Sequence, residues 1–157
     1  MKKIAAAVSV LLAMAVMCGC SKSKVEGGKC PYCKKMEVKL PDDVQGAKIT
    51  YKDGAVEYYC TMAHALMTWK LVTGADADPE NPPVVEFVVV EYNSKELIDA
   101  RQAFYVVGSS VKPVMFFQSV IAFEEMAAAD KFVVNHGGTA MFFDELTQRD
   151  LTAAAGE

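Results

Sequence analysis

Cys30-Pro31-Tyr32-Cys33-Lys34-Lys35-Met36 places two thiols and a thioether in one short segment. Cys33 and Met36 are soft, polarisable donors three residues apart, which suits Cu(I) better than Mg²⁺ or Ca²⁺. A protein that carries a metal needs donors that hold it and can still be exchanged. Met36 serves equally well as a core residue on spacing alone. Cys33 is the stronger candidate, because an exposed pair of thiols is a liability without a role.

Three alternatives compete for the same residues. Cys-Pro-Tyr-Cys also has the form of a dithiol redox motif, which normally follows an apolar strand and opens a helix. Here it follows Val25-Glu26-Gly27-Gly28-Lys29, which does not read as a strand. A Cys30–Cys33 disulfide would close a short loop and stabilise little. Cys30, Cys33, Cys60 and His64 form a zinc-type donor set, although Cys60-Thr61-Met62-Ala63-His64 lacks the usual second close pair.

Other soft residues have plain structural readings. Met62 fits an apolar helix face, whereas His64 lies off that face and reads as a solvated residue. Cys60 closes a strand, where a free cysteine is often simply buried. Met115 lies on a strand candidate facing either a pocket or the core. His136, beside Gly137-Gly138, either complements a helix C-terminus or offers a neutral imidazole to a metal.

These residues need elements to position them. Lys48–Tyr51 and Ala55–Tyr59 flank Lys52-Asp53-Gly54, a hairpin signal because Gly accepts positive φ in a tight turn. Thr61 can cap a helix over Met62–Val72 whose buried face is Met62, Ala65, Leu66, Trp69 and Val72. Gly74–Pro83 is a loop, and Val84–Tyr92 is a strand rich in valine. The second half repeats the order: strands at Ala103–Val107 and Val114–Phe117, a helix at Glu124–Asn135, and a strand at Ala140–Phe143. The predicted fold is α+β, with two similar strand-strand-helix-strand units on mainly antiparallel sheet. The units run over residues 30–100 and 101–150, with a tail at 151–157.

The N-terminus accounts for two of the five cysteines. Met1–Lys3 is basic, Ile4–Met17 is an uncharged apolar run, and Met17-Cys18-Gly19-Cys20 follows. This is the pattern of a secretory signal, too short to span a bilayer comfortably. Its end resembles a bacterial lipobox, with cleavage after Gly19 and lipidation of Cys20. Residues 1–19 are then a signal peptide, and 20–29 a polar, glycine-containing tether. Cys30, Cys33 and Cys60 remain for chemistry. The protein is expected to face the periplasm or other extracytoplasmic space, held to the membrane (the outer one in a two-membrane envelope) through Cys20.

With a formal charge of −4 and pI near 5.2, the 157-residue chain lacks the basic face of a general nucleic-acid binder. Only two histidines and no nucleophile–base–orienter set argue against an enzyme.

From Cys30 to about Thr147 the chain resembles the NosL family. The resemblance rests on Cys30-Pro31-Tyr32-Cys33 with Met36, Tyr51-Lys52-Asp53-Gly54, Tyr58-Tyr59, Ile98-Asp99-Ala100, Phe104-Tyr105-Val106-Val107-Gly108-Ser109, Pro113, Asn135-His136-Gly137-Gly138 and Phe142-Phe143-Asp144-Glu145. It implies a lipid-anchored Cu(I) chaperone that gives copper to a client, nitrous oxide reductase or its assembly machinery. The implied ligands are Cys33 and Met36, completed by Cys30, His136 or Met115. Two departures each shift a methionine by one residue: Cys33-Lys34-Lys35-Met36 replaces the usual Cys-Gly-Met, and Pro113-Val114-Met115 the usual Pro-Met-Gly. The first half is also similar to small Cys-Pro-x-Cys metal modules whose aromatic hairpin ends in a cysteine, as Tyr58-Tyr59-Cys60 does.

Overall fold

The computed structural model describes residues 25–74, 83–115 and 118–151. The leader, Cys20, most of the 74–83 loop and Phe116–Phe117 lie outside the described residues.

A short hairpin opens the described chain, β1 (Glu26–Lys29) pairing antiparallel with β2 (Glu37–Leu40). This corrects the reading of 20–29 as tether throughout, since its last four residues form a strand. The two glycines that suggested flexibility permit close approach instead. A Cβ on Gly27 would meet the Val38 carbonyl oxygen at 2.0 Å, and one on Gly28 would meet the Tyr58 ring at 3.0 Å. Glu26 fastens the hairpin to the neighbouring sheet through Lys48 Nζ at 2.9 Å, and Lys48 also holds Glu86 at 3.1 Å.

The first unit follows as β3 (Ala47–Tyr51), β4 (Val56–Tyr59), α1 (Met62–Val72) and β5 (Val84–Val90), with β6 (Leu97–Asp99) added at the edge. The β3–β4 turn has the expected chemistry. Asp53 Oδ1 accepts from the Ala55 amide at 2.9 Å, and Gly54 takes φ +86°. The second unit is β7 (Phe104–Val107), β8 (Val120–Phe123), α2 (Met126–His136) and β9 (Thr139–Phe142), followed by α3 (Phe143–Gln148).

The sheet orders are β4-β3-β5-β6 and β8-β7-β9. In each unit the first strand is central, flanked by its hairpin partner and by the strand that returns after the helix. The predicted α+β fold with two strand-strand-helix-strand units on antiparallel ladders is therefore present. Two local expectations differ. The strand drawn at Val114–Phe117 lies at Val120–Phe123, where four consecutive residues are buried. Phe143, drawn as a strand end, starts a helix, with the Glu145 carboxylate accepting from the Phe142 amide at 2.8 Å.

Phe143 also joins the units. Its ring lies 6.0 Å from both Trp69 on α1 and Phe87 on β5, and 6.4 Å from Tyr105 on β7. Such offset and edge-on aromatic contacts add to the area they bury. A parallel bridge between Glu91 and Ala122 continues backbone pairing across the junction. The main core thus runs from Cys30 and Val38 through α1 to Leu146, while Val106, Ile121, Phe123, Ala129 and Phe132 form a smaller one beneath α2.

Candidate metal centre

The loop from Cys30 to Met36 caps the β1–β2 hairpin. The Cys30 amide donates to the Met36 carbonyl at 2.9 Å, and the Lys34 amide donates to the Cys30 carbonyl at 2.9 Å. Lys34 takes φ +57°, the left-handed turn that closes so tight a loop. These bonds place Cys30 against the core and leave Cys33 half-buried above it.

Two further donors arrive from β4 and α1. Cys60 follows the last residue of β4. Thr61 is the N-cap of α1, its hydroxyl accepting from the His64 amide at 3.2 Å. His64 occupies the third helical position, from which a side chain reaches back over the cap. Its Nδ1 stands 3.3 Å from Cys60 Sγ and 3.7 Å from Cys30 Sγ, and Cys33 Sγ is 3.8 Å from Cys60 Sγ. The donor atoms of Cys30, Cys33, Cys60 and His64 all lie within 4.8 Å of one another.

These separations can be compared with an ion's requirements. Metal–sulfur bonds of about 2.3 Å and metal–nitrogen bonds of about 2.0 Å, set tetrahedrally, give S···S edges of about 3.8 Å and S···N edges of about 3.5 Å. A linear two-thiolate ion would hold its sulfurs roughly 4.6 Å apart, twice the same bond length. The Cys33–Cys60 pair, at 3.8 Å, matches the tetrahedral edge and is too close for linear coordination, and Cys30 and His64 are near enough to complete a three- or four-donor site. As an Nδ1 ligand, His64 must be neutral with its proton on Nε2.

Burial gives the centre a direction. Cys30, Cys60 and His64 are at most 3% exposed, and Cys33 alone of the four reaches towards solvent. Tyr32 stacks on the imidazole at 4.5 Å between ring centroids, 24° from parallel. The thiols are electrostatically uneven. A hydrogen bond from Cys60, opposed by burial and aided by His64, holds the Cys30 thiol well below its usual range. The same bond to Cys30, with burial, pushes Cys60 far up. The pair sheds its first proton readily and retains its second.

Cys30, Cys33 and Cys60 are free thiols, so no disulfide links them. A strand does precede Cys30, contrary to expectation, but the motif runs into a loop and β2 rather than a helix. It thus still lacks the setting of a redox dithiol. His64, read as solvated, is 1% exposed. The first turn of α1 is covered on both sides, by the sheet and by the Cys30–Met36 loop, so a one-face periodicity cannot apply there.

The other sequence candidates occupy different places. Met36 ends the loop and is 37% exposed. Met115 is partly buried against the main core. His136 ends α2 in the second unit, its ring 4.4 Å from Phe132, beside a cleft of about 360 Å³ that Tyr92 and Asn93 also line. It is outside the Cys/His group. The structure thus joins Cys30 and Cys33 with Cys60 and His64. The signal for the latter two was their four-residue spacing across a cap.

Fold and centre together define a small α+β protein with a preassembled soft-metal donor set. The NosL family profile matches residues 23–151, and the chain belongs to that family. Its structure is similar to the crystal structure of the copper chaperone NosL from Shewanella denitrificans, with 25% identity and a TM-score of 0.54. The match covers 76% of this chain and 90% of that one. No curated protein is significantly similar to the chain.

Proposed function

We propose that this protein is a Cu(I) metallochaperone of the cell envelope, anchored by lipid on Cys20, that binds copper and passes it to a client without turning over a substrate. The observation that carries this reading is the meeting of three thiols and one imidazole from two separate chain segments. Membership of the NosL family and likeness to a copper chaperone support the choice of metal. Soft thiolates favour Cu(I), and the low first titration of the Cys30–Cys60 pair leaves a thiolate ready at neutral pH.

Cys30, Cys60 and His64 are the anchoring donors in this reading. Cys33 is the donor nearest solvent, and the Met36 thioether at the loop's end offers a further exchangeable contact. His136 and Met115 are assigned no first contact with the ion. The client is a copper-accepting protein, with nitrous oxide reductase or its assembly machinery the candidate that the family name suggests.

A second reading rests on the same donors. Three thiols and an imidazole within 4.8 Å of one another also suit Zn(II), which would stabilise an interaction module. Anaerobic titration with Cu(I) against a chelator, and separately with Zn(II), distinguishes the two. The chaperone reading expects tight, reversible Cu(I) binding that weakens by an order of magnitude or more in Cys33→Ser and Cys60→Ser, and less in Met36→Ala. Equal Cu(I) binding in all three variants would refute the site. Unfolding on zinc chelation would favour the second reading.

A further inference from the structure

The loop that presents Cys33 has a charge opposite to that of the chain. Acidic residues outnumber basic ones 20 to 16 overall. Yet Gly27–Met36 contains Lys29, Lys34 and Lys35 and no carboxylate; Glu26 just before it is held by Lys48, and Glu37 just after it stands opposite Lys29, so Lys34 and Lys35 carry the loop's excess positive charge. All three lysines are exposed, and none belongs to an ion pair among the described residues. The same loop exposes Tyr32 (48%) and Met36 (37%), two amphipathic or adaptable side chains of the kind that mark contact surfaces.

We infer that this basic, apolar rim is the docking surface for a metal-accepting protein whose acceptor site is bordered by acidic residues. The inference rests on the copper-chaperone reading and adds the chemistry of the partner. Tyr32, Lys34, Lys35 and Met36 share the loop of the half-buried donor, so a partner seated on them approaches the metal at its exposed side. An anionic membrane pressed on the same lysines would cover that exit, which makes the protein partner the better fit. Transfer requires no redox step. Cu(I) keeps its oxidation state while each sulfur or nitrogen donor that releases it is replaced by one from the acceptor. Complementary charge chiefly raises the encounter rate and selects partners.

The test uses the copper-loaded protein and two synthetic acceptor peptides that share one Met/His copper-binding core. One peptide is flanked by glutamates and the other by lysines. The Glu-flanked peptide should take copper roughly 10-fold faster at low ionic strength, with the advantage shrinking as salt is added. Lys29→Gln/Lys35→Glu should abolish the preference while leaving equilibrium Cu(I) affinity unchanged. The single Lys35→Glu variant should lessen it if the double variant misfolds. Equal transfer to both peptides, or lysine-dependent binding to anionic phospholipid vesicles with no peptide preference, overturns the proposal. Failure to load copper would sink the chaperone reading instead. The surface is then read from metal-free protein, which should still bind the Glu-flanked peptide more tightly than the Lys-flanked one.

Discussion

His64 Nδ1 lies 3.3 Å from Cys60 Sγ, with Thr61, the N-cap of α1, between them in sequence. A single helix start therefore supplies two of the four candidate donors, and anything that loosens the cap should loosen the centre. Thr61→Ala removes the acceptor for the His64 amide and should cost about 1 kcal/mol of stability. Urea unfolding measures that loss. Copper competition should show weaker binding in the same variant, and unchanged affinity would mean that the cap does not position His64.

Metal binding should stabilise the fold, because the donors come together only when β1, β2, β4 and α1 are assembled. At a free-metal concentration about 100 times the dissociation constant, the gain is roughly 2.7 kcal/mol. That corresponds to a rise in Tm of roughly 10 °C for a domain of this size. Anaerobic thermal scans with and without Cu(I) test it. The shift should vanish with a competing chelator and fall by about half or more in Cys60→Ser.

The Cys30–Cys60 pair makes a spectroscopic prediction. Cys30 is held below the ordinary thiol range chiefly by the hydrogen bond from Cys60. The metal-free, reduced protein should thus show thiolate absorbance near neutral pH that persists into acid. A depressed pKa means deprotonation on the acid side of the usual thiol, so the signal disappears only as pH falls through the lowered value. In Cys60→Ala the titration should move upward. If absorbance first rises at the pH of a free thiol in both proteins, the assigned cause is wrong.

Gly27 tests whether β1 is needed by the centre. Gly27→Ala places a methyl group against the Val38 carbonyl and should spread the hairpin that carries Cys30 and Cys33. Lower copper affinity with α1 intact by circular dichroism is the expected pairing of results. Wild-type affinity would show that the loop holds its donors without the hairpin.

Asp99, outside the Cys/His group, provides a separate pH effect. Arg101 donates Nη2 to Oδ2 at 2.7 Å and Nε to Oδ1 at 3.0 Å, lowering the Asp99 pKa. A depressed carboxylate contributes stability above its unfolded pKa and loses it as pH falls through the folded value. Both side chains are substantially exposed, so Asp99→Asn should cost no more than about 1 kcal/mol at pH 7. The difference from wild type should disappear below the lowered pKa of Asp99. Denaturation curves at neutral and strongly acidic pH check the sign.

Local chemistry made much of the fold legible. Asp53-Gly54 specified its turn, Thr61 its cap and Gly137 the end of α2, because Gly54 and Gly137 take positive φ and the Thr61 hydroxyl accepts a helix-start amide, demands that few residue types meet. Valine-rich β5 followed from the preference of β-branched residues for a pleated sheet. The repeated element order was visible for the same reason, and Cys30 and Cys33 could be selected from their types and spacing alone.

Tertiary structure decided what local preference leaves open. Gly27-Gly28 has the composition of a linker, and only Val38 and Tyr58 across the gap make it a closely packed strand. His64 looks solvent-facing on a helix viewed alone, but burial depends on what covers the other side. Here that cover is the loop bearing Tyr32. The donor set Cys30, Cys33, Cys60 and His64 is likewise non-local. Its two halves stand on separate segments, and their meeting depends on how β1–β2 packs against β4 and α1. The sequence by itself determined which atoms could bind a soft metal and most of the elements carrying them. Only the folded chain decided which four converge, because convergence is a property of packing between segments rather than of either segment's own periodicity.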